Sequence, residues 1–299
     1  MQIGFIGLGK MGLNMVFNLK DHNHDVVAYN RSAGPVQEII KQGVNGVFTI
    51  EELMHKLPTR KVVWIMVKAG SAVDMIVEQL LPYLEQGDVI IDGGNTQYQD
   101  TQRRYAKLKE KGIVLVDVGT SGGIEGARKG ACMMIGGDKE IFQELEPVFK
   151  DMCVANAYGC CGQSGAGHYV KMVHNGIEYG MMQSMAEGFE LLEKSDFKLD
   201  LAKVARIWEH GSVIRSWLIE LVRKALEKDC DLNEFKGPIQ ESGEGRWAVA
   251  EGAARGMALP VISAALKERD RSQHKQVFAD RVVSALREGF GRHILGDKK

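Results

Sequence analysis

Residues 2–12 read QIGFIGLGKMG, and this stretch decides the fold. Residues 2–6 (QIGFI) are predicted to form a short buried strand, and a helical pattern through Leu19 follows the glycines. A G-x-G-x-x-G motif between a strand and a helix is typical of dinucleotide-binding folds. Gly7 permits the tight turn, Gly9 lets the backbone approach a pyrophosphate, and Gly12 lets the helix pack on the strand. The alternative is a glycine turn with a purely structural role.

The next predicted strand, Asp25–Tyr29, ends where such folds bind the adenosine ribose. An NAD site offers Asp or Glu there, whereas this chain offers Asn30, Arg31 and Ser32. Arg31 can form a forked pair with a 2'-phosphate, to which Ser32 can donate. The pattern favours NADP as cofactor, with NAD as the second choice. A solvated loop arginine without a ligand is the alternative.

Apolar runs alternate with helical patterns through the rest of the first half. The predicted strands are residues 61–67, 88–92, 113–118 and 131–135, and the predicted helices are residues 71–84, 101–111 and 139–149. This alternation is typical of a parallel, doubly wound sheet. Residues 153–165 are rich in glycine and are predicted to be a connector.

Small-residue loops follow three of these strands, at 67–70, 93–96 and 119–123. In a doubly wound sheet, ligands bind beyond the carboxyl ends of the strands, where these loops fall. Asn95 offers both a donor and an acceptor, and residues 121–123 can turn backbone N–H groups toward a carboxylate. We therefore expect the loops to surround a ligand.

Polar residues recur at helical spacing in GAGHYVKMVHNGIEYGMMQSMAEGFELLEK, residues 165–194. Lys171, His174, Asn175 and Glu178 fall at i, i+3, i+4 and i+7, so a helix aligns them in one stripe among apolar and small neighbours. The lysine and the glutamate are about 10 Å apart along the axis, too far for a simple ion pair, and could flank a small molecule. The alternative is a surface helix whose charged side chains extend into water.

After residue 165 the pattern is helical throughout. The predicted helices are residues 202–209, 212–227, 245–256, 260–270 and 276–289. We therefore predict two domains, an α/β Rossmann-like domain over residues 1–165 and an all-α domain over residues 166–299.

The composition excludes several functional classes. With 44% hydrophobic and 26% charged residues, the 299-residue chain is typical of a globular protein. A net charge of −1 and a pI of about 6.7 give no basic field for nucleic acid or an anionic membrane. No apolar run is long enough to span a membrane, and the N-terminus leads directly into a strand rather than a signal peptide. Five cysteines without metal-ligand spacing predict a cytoplasmic protein with no metal site.

The motifs together resemble those of the short form of the 6-phosphogluconate dehydrogenases (decarboxylating). The segments that carry the resemblance are GLGKMGLN (7–14), NRS (30–32), VKAG (67–70), GGN (93–95), SGG (121–123) and GHYVKMVHNGIEYG (167–180). The last is nearly the active-site helix of that family. Arg287 and His293 also keep the spacing of an arginine–histidine pair near the family's C-terminus.

This resemblance implies oxidative decarboxylation of 6-phosphogluconate to ribulose 5-phosphate, with reduction of NADP or NAD. It implies that Lys171 is the acid/base lysine and Glu178 the general acid, with His174 and Asn175 in the catalytic set. The substrate residues it implies are Asn95, Ser121, Gly122, Gly123, His174, Asn175, Tyr179, Arg271, Arg287 and His293. The cofactor residues it implies are Gly7, Leu8, Gly9, Lys10, Met11, Gly12, Asn30, Arg31, Ser32, Val67, Lys68, Ala69 and Asn95.

The resemblance also implies a homodimer or higher homo-oligomer, in which the C-terminal tail completes the partner's site. The alternative is a tail that folds onto its own domain. Two departures from the longer members stand out. Ser242 occupies the position of a phosphate-binding lysine, and the chain ends where those members continue into a second helical half.

Elementary chemistry agrees with the implied mechanism. Desolvation on an apolar helix face favours the neutral form of a lysine, which can accept a hydroxyl proton. A ketone beta to a carboxylate accepts the electrons released by decarboxylation, so the reaction requires no metal.

Two other functions fit parts of the pattern. A β-hydroxyacid dehydrogenase of the 3-hydroxyisobutyrate type would share the glycine loop and the lysine, but would need no cations for a distant phosphate. A non-catalytic sensor of dinucleotides would have no use for the lysine–glutamate stripe.

Overall fold

The computed structural model describes residues 1–291 and confirms an α/β first half followed by a helical second half. The chain forms two compact units, Met1–Lys171 and Met172–Lys299. Within the described residues, none of the helices has the length and apolar character needed to cross a membrane.

The first unit is built on one sheet of eight strands. They are β1 (Gln2–Ile6), β2 (Asp25–Tyr29), β3 (Asn45–Val47), β4 (Val62–Ile65), β5 (Val89–Asp92), β6 (Val114–Ser121), β7 (Ala131–Gly136) and β8 (Cys153–Gly162). Their order in the sheet is β3-β2-β1-β4-β5-β6-β7-β8. All neighbours are parallel except β6 and β7, which are antiparallel, so the last two strands run against the other six.

Helices connect the strands and cover both faces of the sheet. They are α1 (Lys10–Asp21), α2 (Ala33–Lys41), α3 (Ile50–Lys56), α4 (Ser71–Leu80), α5 (Tyr98–Lys109), α6 (Gly123–Lys129) and α7 (Lys139–Met152). Successive residues of a strand point to opposite faces, so Phe5 lies in one apolar cluster and Ile6 in the other. Phe5 also stacks near Trp64, whose ring meets Phe149 edge to face.

The strand order reverses between β1 and β4, which places a topological switch point there. The two loops that follow these strands are neighbours, because the backbone N–H of Met66 donates to the carbonyl of Ile6 at 2.7 Å. In open α/β sheets, ligands bind in the crevice at this point.

The prediction that residues 153–165 form a connector was wrong, because most of this segment is strand β8. β8 lies at the edge of the sheet, and most of its residues are exposed. An edge strand of this kind needs no alternation of apolar and polar residues, so its glycines dominated the sequence pattern.

The second unit is helical in its described part. The helix α8 (Ala166–Glu193) contains residues of both units, and it is followed by α9 (Leu201–Glu209), α10 (Trp217–Lys228), α11 (Glu244–Ala254), α12 (Pro260–Ser272) and α13 (Phe278–Gly291). Side chains with no solvent exposure, such as Phe189, Ile219 and Val282, form its core. Asp200 and Ser216 cap α9 and α10 by accepting backbone N–H bonds, which satisfies donors that a helix start leaves unpaired.

Candidate active site

The glycine loop after β1 has the geometry that a bound pyrophosphate needs. Gly7 has φ +105°, and a side chain there would lie 2.2 Å from the carbonyl oxygen of Met66. A side chain at Gly12 would lie 2.0 Å from the carbonyl oxygen of Gly7. In contrast, a Cβ on Gly9 would meet no atom within 4 Å. Gly9 is also the N-cap of α1 and has no side chain to occupy the N–H groups of its first turn, which therefore suit an anion.

Asn30 connects this loop to the turn after β2. Its Oδ1 accepts from the backbone N–H of Leu8 at 2.9 Å, and its Nδ2 donates to Oγ of Ser32 at 2.8 Å. Arg31 and Ser32 are exposed beside it. Asn30 therefore organises the turn, and the two exposed residues present a cation and a hydroxyl.

The third predicted cofactor loop, Val67–Gly70, is held by an arginine that the sequence analysis missed. The buried Arg104 donates to the carbonyl of Gly70 at 3.0 Å and to both carboxylate oxygens of Asp74. These bonds hold the pKa of Asp74 below its usual value. An arginine next to a second one, Arg103, within a predicted helix gives no sequence signal for such a role.

The two predicted substrate loops are shaped by a buried carboxylate and by glycines. Asp92 accepts from the N–H of Gly94 at 3.1 Å and from the hydroxyl of Thr96 at 3.0 Å, and Asn95 between them is exposed. Gly122 and Gly123, directly after β6, have φ +111° and +61°, a conformation that L side chains rarely adopt. Both loops lie at the carboxyl ends of parallel strands, as predicted.

Lys171 lies against strand β6 and is only 8% exposed. A Cβ on Gly119 would be 2.4 Å from the Cβ of Lys171, so only glycine allows α8 to approach the strand this closely. Ser121 follows two residues later on the same face of β6, because side chains alternate along a strand. The structure thus brings the predicted acid/base lysine to the strand that ends in the loop Ser121–Gly123.

Three polar side chains of the predicted stripe interact with one another further along α8. Nδ1 of His174 lies 2.9 Å from Oδ1 of Asn175 and 3.8 Å from Oε2 of Glu178. All three side chains are half-buried. These three side chains therefore form a compact polar group on the helix.

Tyr179, Arg269 and Arg287 form a buried cationic cluster in the second unit. The guanidinium of Arg269 lies over the Tyr179 ring, 3.6 Å from its centroid, and donates to the carbonyl of Gln240 at 2.9 Å. Its Nη2 has no hydrogen-bond partner among residues 1–291. Burial lowers the pKa of Arg269 to about 10, lowers that of Arg287 and raises that of Tyr179.

The carboxylate of Glu244 is buried near this cluster, and neither of its oxygens accepts a hydrogen bond from a described residue. Its charge acts on both Tyr179 and Arg287. Buried ionised groups that lack full hydrogen bonding are costly unless a ligand compensates them. A bound anion would supply the partner that Nη2 of Arg269 lacks among residues 1–291.

Arg271, which the resemblance implies as a substrate residue, already has three hydrogen-bond partners within the protein. Its guanidinium bonds to Glu268 and Asp280, both at 2.6 Å, and to the carbonyl of Lys275 at 2.7 Å. Arg269, two residues earlier on α12, was not selected. His293 lies outside the described residues, and Ser242 precedes α11.

Within residues 1–291, one group of three potential metal ligands has its ligand atoms within 4.8 Å of one another, namely Asp229, Cys230 and Asp231, which are half-exposed or exposed. The carboxylate of Asp229 accepts the N–H groups of Asp231 and Asn233, so it stabilises the turn after α10.

Comparison with known proteins decides the family. Residues 2–163 match the NAD binding domain of 6-phosphogluconate dehydrogenase, and residues 167–285 match the C-terminal domain of that enzyme. The chain belongs to the 6-phosphogluconate dehydrogenase family. It is 47% identical to the Bacillus subtilis protein YqeC over 298 residues, with 100% of each chain covered.

Two further members of the family show which cofactors the family uses and how its chain lengths differ. A Haloferax volcanii relative, 40% identical with 100% of this chain and 99% of its own covered, is named an NAD(+)-dependent, decarboxylating 6-phosphogluconate dehydrogenase. The Plasmodium falciparum 6-phosphogluconate dehydrogenase, solved with NADP+ and with 6-phosphogluconate, is 34% identical with a TM-score of 0.83. The match covers 91% of this chain and 62% of the Plasmodium chain. The family thus includes members of this length and longer members. One of these relatives is named as NAD(+)-dependent, and the other was solved with NADP+.

Proposed function

We propose individual roles for the residues of this chain in the reaction of its family, the oxidative decarboxylation of 6-phosphogluconate to ribulose 5-phosphate and CO2. The observation that carries the proposal is the buried Lys171, packed on Gly119 two residues before the loop Ser121–Gly123. A lysine shielded from water favours its neutral form, which can accept a proton from a substrate hydroxyl.

Lys171 accepts the proton of the 3-hydroxyl group as the hydride leaves C3. When bound, the nicotinamide cofactor supplies the acceptor for that hydride. The ammonium group formed on Lys171 keeps its proton and donates a hydrogen bond to the oxygen on C3, which carries the negative charge after CO2 has left. Glu178 protonates the carbon that becomes C1 of ribulose 5-phosphate, and the proton held by Lys171 restores Glu178, directly or through water.

The remaining polar residues bind the substrate. Asn95, His174 and Asn175 hydrogen-bond its hydroxyl groups, and the loop Ser121–Gly123 receives its carboxylate. Tyr179, Arg269 and Arg287 bind the phosphate, and His293 adds to them. We assign Arg269 rather than Arg271 to this task, because Arg271 already has two carboxylates and a carbonyl as partners whereas Nη2 of Arg269 has no hydrogen-bond partner within residues 1–291.

NADP is the cofactor, and NAD is the second nucleotide that the site accepts. Residues 7–12 receive the pyrophosphate, residues 30–32 the adenosine end and residues 67–69 the nicotinamide side. Support comes from the exposed Arg31 and Ser32, which fit a 2'-phosphate, and from the lack of a carboxylate in that turn. The boundary between the cofactor domain and the substrate domain falls between residues 165 and 166, where α8 begins.

We infer that the enzyme is a homodimer whose C-terminal tail, including His293, completes the partner's site. An apolar groove in the second unit supports a second copy as its occupant. It has a volume of about 720 Å³ and is lined by exposed apolar residues that include Ile177, Met181, Val213, Ile214 and Val261. A patch of this kind on a globular protein marks an interaction surface, and a two-fold dimer would bury it twice.

We place the enzyme in the cytoplasm. All five cysteines are free thiols, which suits a reducing compartment.

One assay tests the proposed reaction. The purified protein is given 6-phosphogluconate with NADP or NAD, and reduction of the nucleotide and release of CO2 are measured in parallel. We expect equal amounts of both products, with NADP preferred, and no turnover of 3-hydroxyisobutyrate. Reduction without CO2, or a preference for 3-hydroxyisobutyrate, would contradict the proposal.

A further inference from the structure

The buried carboxylate of Asp117 is attached to the start of helix α8. Its Oδ1 accepts from the N–H of Gly165 at 2.6 Å and its Oδ2 from the N–H of His168 at 2.8 Å. The first N–H groups of a helix have no partner within the helix and carry partial positive charge, so they favour a carboxylate. Strand β6 therefore supplies the cap of α8.

The next residues on the same face of β6 continue this contact. Asp117 and Gly119 are two residues apart and point to the same side of the sheet. A Cβ on Gly119 would be 2.4 Å from the Cβ of Lys171 and 3.0 Å from the carbonyl oxygen of Gly167. A Cβ on Gly167 would in turn be 2.7 Å from the carbonyl oxygen of Asp117. Strand and helix thus meet backbone to backbone, one turn after the cap.

A second bond fixes the same turn of α8 from the side of helix α5. Nδ1 of the buried His168 lies 2.7 Å from the hydroxyl of Thr101. Lys171 follows His168 by three residues and therefore lies on the same side of the helix. The turn that precedes the lysine is thus held by a strand and by a helix.

From this arrangement we infer that Asp117 is a positioning residue, which sets how far along β6 the helix α8 lies and thereby where the amine of Lys171 meets the substrate. The inference rests on the proposed role of Lys171. Sliding the helix by one turn would move Lys171 by about 5.4 Å, and misplacement of about 1 Å is enough to impair a catalytic group.

The N–H groups of Gly165 and His168 both need an acceptor, so they require a carboxylate rather than a neutral polar group of the same size. Asparagine has one carbonyl oxygen and would turn its NH2 group toward the second N–H. Asp117→Asn therefore keeps the shape of the side chain but loses one of the two bonds and the charge near the helix start.

Asp88 provides a matched control. It is also buried and also accepts two backbone N–H bonds, from Lys61 and Glu85, each at 2.8 Å. It precedes the first residue of β5, at the amino end of the strand, away from the loops of the site. Asp88→Asn should thus reproduce the loss of stability without moving Lys171.

The test compares kcat, KM for 6-phosphogluconate, the dissociation constant for NADP and the melting temperature of the two variants. We expect kcat of Asp117→Asn to fall by about tenfold or more, with KM and the dissociation constant within about threefold of wild type. Asp88→Asn should lose comparable thermal stability and keep its kcat. An unchanged kcat in Asp117→Asn, or an equal fall in both variants, would overturn the inference.

A second pair of variants covers the case in which Asp117→Asn does not fold. Gly119→Ala keeps the cap but places a methyl group against Lys171, whereas Gly159→Ala adds a methyl group on β8 where no atom lies within 4 Å. We expect the first to lower kcat and the second to leave it unchanged; equal kcat values would overturn the inference. Lys171→Met, measured alongside, separates the two claims, because activity in that variant would refute the proposed function itself.

Discussion

The guanidinium of Arg269 lies 3.6 Å from the centre of the Tyr179 ring, in the buried interior of the helical unit. Burial lowers the pKa of this arginine to about 10, and its Nη2 has no hydrogen-bond partner within residues 1–291. Arg271, two residues away, has three polar partners. The two arginines of α12 should therefore respond differently to substitution.

We expect Arg269→Met to raise KM for 6-phosphogluconate by about 10- to 150-fold, the range for losing a hydrogen bond to a charged group worth about 1.5–3 kcal/mol. Arg271→Met should mainly lower the melting temperature, because it leaves the buried Asp280 without its ion pair. Steady-state kinetics and thermal unfolding of both variants provide the measurement. The assignment of Arg269 fails if Arg271→Met raises KM and Arg269→Met does not.

Arg31 should determine the preference for NADP. We expect Arg31→Ala to weaken NADP binding by about 1.5–3 kcal/mol and to leave NAD binding almost unchanged, since only NADP has the phosphate that Arg31 can bind. Arg31→Lys, which keeps the charge but loses the forked geometry, should be intermediate. Titration of each nucleotide by protein fluorescence checks this. Equal losses for both nucleotides would show that Arg31 is structural.

The sequence predicts the first unit well, because its local signals and its tertiary structure agree. The glycine loop, the strands flanking the switch point and the long helix through Lys171 all lie where strand, turn and helix patterns indicate. The edge strand β8 was missed, since its residues are mostly exposed and need no apolar alternation.

Contacts between distant segments were not accessible from the sequence. Nothing in the motif around Asp117 indicates that its carboxylate caps a helix 48 residues later. The choice between Arg269 and Arg271 likewise depends on which of them Glu268 and Asp280 occupy, which spacing does not reveal.

A charged residue introduced into the apolar groove should disrupt the proposed homodimer. We expect Val213→Asp to convert dimers to monomers at micromolar concentration, because it would bury a charge in the interface. Leu191→Asp is the matched control, since Leu191 is an exposed apolar residue that does not line the groove. Molar mass by light scattering distinguishes the outcomes. A wild-type monomer, or a Val213→Asp dimer, would contradict the proposed interface.

Mixed dimers test whether the tail acts on the partner. Lys171→Met and His293→Ala chains should each be nearly inactive alone. Unfolded together and refolded, they should recover about a quarter of wild-type activity, because half of the dimers are mixed and each mixed dimer has one intact site. If mixed dimers are shown to form and activity does not return, His293 serves its own chain.

In the proposed mechanism, Lys171 accepts the hydroxyl proton during oxidation and donates a hydrogen bond to the C3 oxygen during decarboxylation, so both steps depend on its amine. Methionine is the informative replacement, since it preserves most of the buried apolar stem while removing the amine. Glu178→Gln is the companion variant. It should reduce kcat more than it changes KM, because its proton is needed only after the substrate has bound.

The most direct measurement is the turnover of 6-phosphogluconate by Lys171→Met at saturating NADP, with reduced NADP and CO2 both quantified. We predict that the variant folds, binds NADP as tightly as wild type, and yields neither product above about 1% of the wild-type rate, since loss of a general base costs about 100-fold or more. Turnover of more than a few per cent of wild type, with either product, would contradict this prediction.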